Sequence, residues 1–77
     1  MSKIIITHSD KGETLAKSIT SNGFDASIVR SPKNYEEVWN ANEALIFIGA
    51  LGICVREIAP FLKDKKTDPA VINLDAN

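Results

Sequence analysis

A chain of 77 residues holds at most one small domain, and at this length only roughly 60–65% of the unfolded surface can be buried. Nine basic against ten acidic residues give a formal charge of −1, which leaves no electrostatic footprint for nucleic acid or an anionic membrane. Cys54 is the single cysteine, which excludes a disulfide framework and a cysteine-based metal site. In chain order, residues 3–8 open with three isoleucines and then turn polar, a strand signal. The apolar run is too short for a signal peptide, so a cytoplasmic protein is expected. Asp10 with Glu13 three positions on resembles a capping box and predicts a helix starting near Lys11. Leu15, Ala16 and Ile19 form its narrow apolar face, and Asn22-Gly23 supplies the stop. A second strand is predicted over 26–30, closed by Ser31-Pro32. Tyr35, Val38 and Trp39 share one side of a short helix over 35–42, where both aromatics are expected to pack.

The next stretch organises the rest. Residues 44–55 are twelve consecutive apolar or glycine residues, too few for a transmembrane helix of about 20. Gly49 and Gly52 cut the run. Before the cut, 44–48 is rich in large apolar side chains and suits a parallel strand covered on both faces. After it, Leu51, Val55, Ile58 and Leu62 recur at helical spacing and predict a helix burying that row. Cys54 inside it reads as a small hydrophobe. Pro60 is expected to kink or loosen this helix by removing a hydrogen bond to the carbonyl of Arg56. Thr67-Asp68-Pro69 breaks the chain, and 70–74 is a last apolar strand.

Strands alternating with helices imply a parallel sheet with right-handed crossovers. The expected fold is α/β: residues 1–77 as one domain, a small open parallel sheet of four strands in the order 2-1-3-4, flavodoxin- or Rossmann-like, with helices on both faces. Such a sheet has two open edges, which a second copy (a homodimer) or further chain would close. The sequence stops just after a strand with no covering helix, which reads as a truncated, amino-terminal fragment of a larger protein.

Ligands of open α/β sheets bind beyond the carboxyl ends of the strands, at the switch point, here between the first and third strands. There His8-Ser9 and Gly49-Ala50 would face each other across a crevice. The turn Gly49-Ala50-Leu51-Gly52 ends a strand and opens a helix, so its backbone N–H groups can hold an anion. Neither GxGxxG nor GK[ST] is present, and Gly49 can equally serve a tight turn and Gly52 close helix–strand packing. His8 is the only histidine and has the chemistry of a general base at neutral pH; a polar strand end is the bland alternative. Arg56 lies one turn from the glycines and is placed to bind a carboxylate, and Lys63, seven residues on, would share its helix face. Lys63, Lys65 and Lys66, mixed with Asp64 and Asp68, read as a solvated surface. Asp75 ends the last strand at the same sheet edge, as a base, a hydroxyl acceptor or simply a turn residue.

Residues 44–71 also resemble a known family. Gly52-Ile53, then Val55-Arg56-Glu57-Ile58-Ala59-Pro60, then Lys63-Asp64-Lys65-Lys66-Thr67-Asp68-Pro69-Ala70-Val71 are similar to the amino-terminal domain of the cobalt-precorrin 5A hydrolases, the CbiG family of anaerobic cobalamin biosynthesis. Residues 1–43 fit more loosely. The resemblance implies opening of the ring A δ-lactone of a cobalt corrinoid with loss of acetaldehyde. It implies a corrinoid substrate that brings its own cobalt, no other cofactor and no protein metal site. It also implies the rest of a parent hydrolase as partner. On this view His8 is the candidate catalytic residue, and Ser9, Gly49, Ala50, Leu51, Gly52, Arg56 and Asp75 are the candidate substrate contacts. The family's later Leu-Ser-Gly-His-x-Gly-Gly segment is missing, so the 77 residues alone are expected to have little or no activity. The competing expectation is a non-catalytic module that binds a corrinoid or anion for another protein.

Overall fold

The structure, a computed structural model, describes residues 2–63 and 67–75. Its strands are β1 (Lys3–Thr7), β2 (Ser27–Arg30), β3 (Ala44–Ile48) and β4 (Ala70–Leu74), and its helices are α1 (Asp10–Ser21), α2 (Tyr35–Ala41) and α3 (Leu51–Ile58). All strand pairs are parallel and the order is β2-β1-β3-β4, as expected from the sequence. Covered on both faces, the central strands β1 and β3 have no polar side to show, which is why their sequences run IIIT and ALIFI without alternation.

Two cores sandwich the sheet. Ile5, Ile46 and Ile48 point to α1 and meet Ala16, with Ile19 beside them. Ile6, Leu45 and Phe47 point the other way and meet Trp39 of α2 and Cys54 and Ile58 of α3. Ile5, Ile6 and Leu45 have no exposure and Phe47 has 2%. Fully burying a side chain of this size is worth about 1.5–3 kcal/mol, so these four dominate the cohesion of so small a domain. Thr7 is also fully buried, and its hydroxyl has no partner among the described residues.

Helix α1 starts one residue earlier than a capping box at Asp10 predicts. Ser9, in extended conformation, is the cap: its Oγ accepts from the Gly12 N–H at 3.0 Å. Asp10 is instead held by Arg30, at 2.6 Å across to the end of β2. Gly12 lets the helix start press on the sheet, because a Cβ there would lie 3.2 Å from Ser9 Oγ and 3.4 Å from Ile48 Cγ2. The predicted stop holds, with Asn22 as C-cap.

Helix α3 corrects the sequence-based choice of face. Leu51, Val55 and Leu62 are 61%, 51% and 55% exposed; of the expected row only Ile58 is buried, and Cys54 is buried with it. Leu51, Ile53, Cys54 and Val55 are apolar nearly all round the helix, so periodicity could not choose a side. The small Cys54 lets the helix sit close to Phe47. Pro60 does not kink a longer helix: α3 stops at Ile58 and a 3-10 turn, Ala59–Phe61, carries the proline. Trp39 is buried and Tyr35 half-buried, both packed in the α2–α3 core.

Candidate functional site

Parallel register fixes what meets at the carboxyl edge. Thr7 pairs with Ile48, so His8, the next residue of one strand, emerges beside Gly49 of the other. The β2 end closes in from the far side: the Ser31 N–H donates to the Thr7 carbonyl at 2.8 Å. Ser31 has a φ of +47°, a left-handed conformation uncommon for serine, and this turns its hydroxyl toward His8. His8 Nδ1 lies 3.2 Å from Ser31 Oγ, and Nε2 lies 3.2 Å from the Tyr35 hydroxyl. Both hydroxyls can donate or accept, so either neutral tautomer of the imidazole is accommodated.

Tyr35 is itself braced. Its ring stacks on Phe47 at 6.2 Å between centroids and 4° between planes. Burial first, then the negative charges of Glu57 and ionised Cys54, push its hydroxyl up to about 12. The hydroxyl is therefore protonated at neutral pH and can donate to His8. For an acid whose folded value is raised, stability is fully present below the unfolded value of about 10 and is lost as pH rises through 12. Because Tyr35 is the only tyrosine, tyrosinate absorbance reports it alone. A native-state midpoint near 12 is expected; a midpoint near 10 would mean that the hydroxyl is neither buried nor held.

His8, Ser9, Gly49, Ala50, Cys54 and Asn73 line one enclosed cavity of about 190 Å³, floored by Phe47. The Asn73 amide donates through Nδ2 to the Gly49 carbonyl at 3.3 Å, which orients its Oδ1 away; that oxygen is buried without a partner among the described residues. Cys54 is 3% exposed, and burial pushes its thiol up, so it is no thiolate nucleophile at neutral pH. Ala50 caps α3 through its backbone alone, with no side-chain cap. Of the first-turn N–H groups, that of Ile53 donates back to the Ala50 carbonyl at 3.1 Å, and no side chain caps those of Leu51 and Gly52.

Other residues singled out in the sequence fall elsewhere. Leu51 and Gly52 are exposed on the first turn of α3, and a Cβ on Gly52 would meet nothing within 4 Å, so close packing is not what this glycine serves. Arg56 opens on a separate hollow of about 390 Å³ with Lys33, Asn34, Glu57 and Pro60, which Tyr35 also lines. Tyr35 is thus the wall between the Arg56 hollow and His8. Lys63 lies beyond the 3-10 turn and shares no helix face with Arg56; its N–H donates to Asp68 at 2.8 Å. Asp75 is exposed just past β4. Asp64, Lys65 and Lys66 lie outside the described residues. The larger groove beside Lys63, about 550 Å³, is wide open and lacks the histidine and the glycine turn, so the chemistry follows the enclosed cavity. Among the described residues, no group of three or more His, Cys, Asp or Glu could hold a metal ion, and no helix is long and apolar enough to cross a membrane.

Sequence reasoning missed Ser31, Tyr35 and Asn73. A signal existed for two of them. Ser31 directly follows β2, at the strand edge shared with His8, and Asn73 is the one polar residue within the apolar run 70–74.

The family model for Cobalamin synthesis G N-terminal matches residues 33–77, more than half of the chain. The chain belongs to this family. It is similar to the cobalt-precorrin-5A hydrolase of Salmonella typhimurium, 62% identical over 32 residues that make 42% of this chain and 9% of that protein. It is also similar to the cobalt-precorrin-5A hydrolase of Priestia megaterium, 55% identical over 38 residues, 49% of this chain and 10% of that one. The fold is shared with a cobalamin biosynthesis protein G homolog from Sulfolobus solfataricus at TM-score 0.79 and 26% identity, over 97% of this chain and 26% of that one. The match therefore spans about a tenth of these curated relatives and a quarter of the solved structure. Membership in the Cobalamin synthesis G family ties the chain to cobalamin biosynthesis.

Proposed function

We propose that this chain forms the amino-terminal part of a cobalt-precorrin-5A hydrolase, which opens the ring A δ-lactone of a cobalt corrinoid and releases acetaldehyde. The observation that carries this reading is that His8 and the Gly49-Ala50 turn line one cavity in a chain of this family. Lactone opening needs a base to take a proton from the attacking water and donors for the oxyanion at the lactone carbonyl. His8 is the base: a water that displaces the Tyr35 hydroxyl from Nε2 meets an imidazole still braced through Nδ1 against Ser31. The uncapped N–H groups at the start of α3, those of Leu51 and Gly52, one and two residues after the Ala50 that lines the cavity, are the oxyanion donors. Water adds to the carbonyl carbon and the ring C–O bond breaks. The freed hydroxyl then gives its proton to a base and becomes the carbonyl of acetaldehyde as its carbon–carbon bond to the macrocycle breaks, the electron pair of that bond passing to the macrocycle carbon and its conjugated system. Arg56, in the neighbouring hollow, takes a peripheral carboxylate of the macrocycle, and Ser9 and Asp75 line the approach. Cobalt arrives within the substrate, and no further cofactor is invoked.

The 77 residues hold part of this machinery, since the match covers about a tenth of the curated relatives. Acetaldehyde release by the chain alone is therefore expected to be negligible, while binding is expected to survive. The test is an absorbance titration of a cobalt corrinoid bearing free carboxylates. A saturable spectral change is expected, weakened roughly tenfold by Arg56→Ala through loss of a charge-assisted hydrogen bond. No spectral change would end the proposal that this domain binds the corrinoid. A saturable change with no acetaldehyde release, even once the rest of a family hydrolase is supplied, would favour the non-catalytic binding module.

A further inference from the structure

The two open edges of the sheet differ in kind. At β2 the exposed residues are Ser27 and Arg30, with Arg30 tied to Asp10. At β4 the strand is uncharged, five residues long, and flanked by apolar side chains on both faces. On the α1 face, Ile72 and Leu74 are 51% and 37% exposed, because α1 lies over β1 and β2 and does not reach them. On the other face, Leu62 and Val71 line the open groove of about 550 Å³. An uncharged, apolar edge without charged residues or bulges is a surface that natural sheets cover.

Its backbone is equally unfinished. Ala70 donates its N–H inward to Glu43, and the Leu74 carbonyl accepts inward from Gly49. Backbone groups alternate sides along a strand, so Val71 and Asn73 present theirs outward, and no strand pairs with them among the described residues. We infer that this edge is the docking site for one further strand, supplied by the segment that follows the amino-terminal domain in the longer polypeptides of this family. The family model is that of an amino-terminal domain, and the chain covers only 26% of the solved homolog. A segment continuing from β4 would leave from the end of this edge strand, at Leu74. A strand laid there pairs with Val71 and Asn73, and its alternate side chains cover Ile72 and Leu74 on one face and fill the groove on the other. The inference rests on family membership and on this surface, not on ring opening or corrinoid binding.

The probe is a synthetic peptide of roughly 20 residues, enough for a turn and a strand, taken from immediately after the matched stretch in the Priestia megaterium relative. Amide exchange is followed residue by residue in the 77-residue chain, with its mass in solution measured in parallel. The free chain is expected to be a monomer of 8.4 kDa with Val71 and Asn73 exchanging freely. Saturating peptide is expected to slow those two amides at least tenfold and to leave β2 unchanged. Ile72→Lys, or Leu62→Lys on the opposite face, places a charge at a position already exposed and should abolish the effect while the chain stays folded. Unslowed amides at millimolar peptide would overturn the inference. A free chain of twice the mass with those amides already protected would also overturn it, assigning the edge to a second copy.

Discussion

Phe47→Ala is expected to remove a large part of the domain's stability at 25 °C. Phe47 sits mid-strand in β3 with 2% exposure, pairs with Ile6, and is touched from the helix side by the α2–α3 core. Truncating a buried phenylalanine costs about 3–5 kcal/mol, transfer and cavity together. A 77-residue domain has only about 4–12 kcal/mol to lose. The same change removes the ring on which Tyr35 stacks, so the brace behind His8 goes with it. Urea unfolding followed through the fluorescence of Trp39, the single tryptophan and a member of the same core, measures the loss. Leu51→Ala is the paired control. Periodicity places Leu51 in the core, whereas the structure leaves it 61% exposed, so its truncation should cost no more than about 0.5 kcal/mol. Equal losses from the two changes would mean that the sheet of the structure is not the core of the molecule.

That contrast marks how far the sequence reaches. The strands were legible because each is a short apolar run cut off by a polar, glycine or proline signal, and β3 and β4 begin and end where those runs do. Strand order followed from the alternation of strands and helices, since right-handed crossovers leave few arrangements. The face of α3 was legible only at Ile58. A two-turn helix with apolar residues on nearly every side carries no phase, and only the closeness of Phe47 selects Cys54 and Ile58. The cap of α1 was misplaced by one residue for a related reason: Ser9 and Asp10 are both good caps, and in the fold Ser9 takes the Gly12 N–H while Asp10 pairs with Arg30, twenty residues away.

At the site, sequence could bring His8 and Gly49 to one edge, because topology alone does that. It could not say what holds the imidazole. The holding groups are a serine in a left-handed conformation and a tyrosine that looks like packing, as indeed its ring is. One side chain here does both jobs, with its ring against Phe47 and its hydroxyl on His8, and a pattern of residue types shows only the first. Arg56 was read from distance along the helix, which ignores direction around it; Tyr35 stands between the arginine and the histidine cavity.

Gly49→Val should destabilise the domain by about 1–3 kcal/mol, the usual cost of forcing a side chain into a backbone conformation it avoids. In a domain of this size that is a fall in Tm of roughly 5–20 °C by circular dichroism. The cost comes from the backbone and not from crowding. Gly49 has a φ of +156°, and a Cβ there would meet nothing within 4 Å. Nor can the residue relax, because both its backbone groups are tied to β4: its N–H donates to Leu74 at 2.8 Å and its carbonyl accepts from Asn73 at 3.3 Å. Ala50→Val is the control, since Ala50 is exposed and already has the φ of −68° and ψ of 135° that any residue adopts. A Gly49 variant as stable as the Ala50 variant would mean that the turn is not strained. Function separates from stability in the corrinoid titration. At a temperature where the Gly49 variant remains folded, its affinity should still fall, because Gly49 and Ala50 line the same cavity as His8 and a side chain there changes its shape. If affinity stays at the wild-type level, the glycine serves only the turn, and the oxyanion donors must be sought on another element.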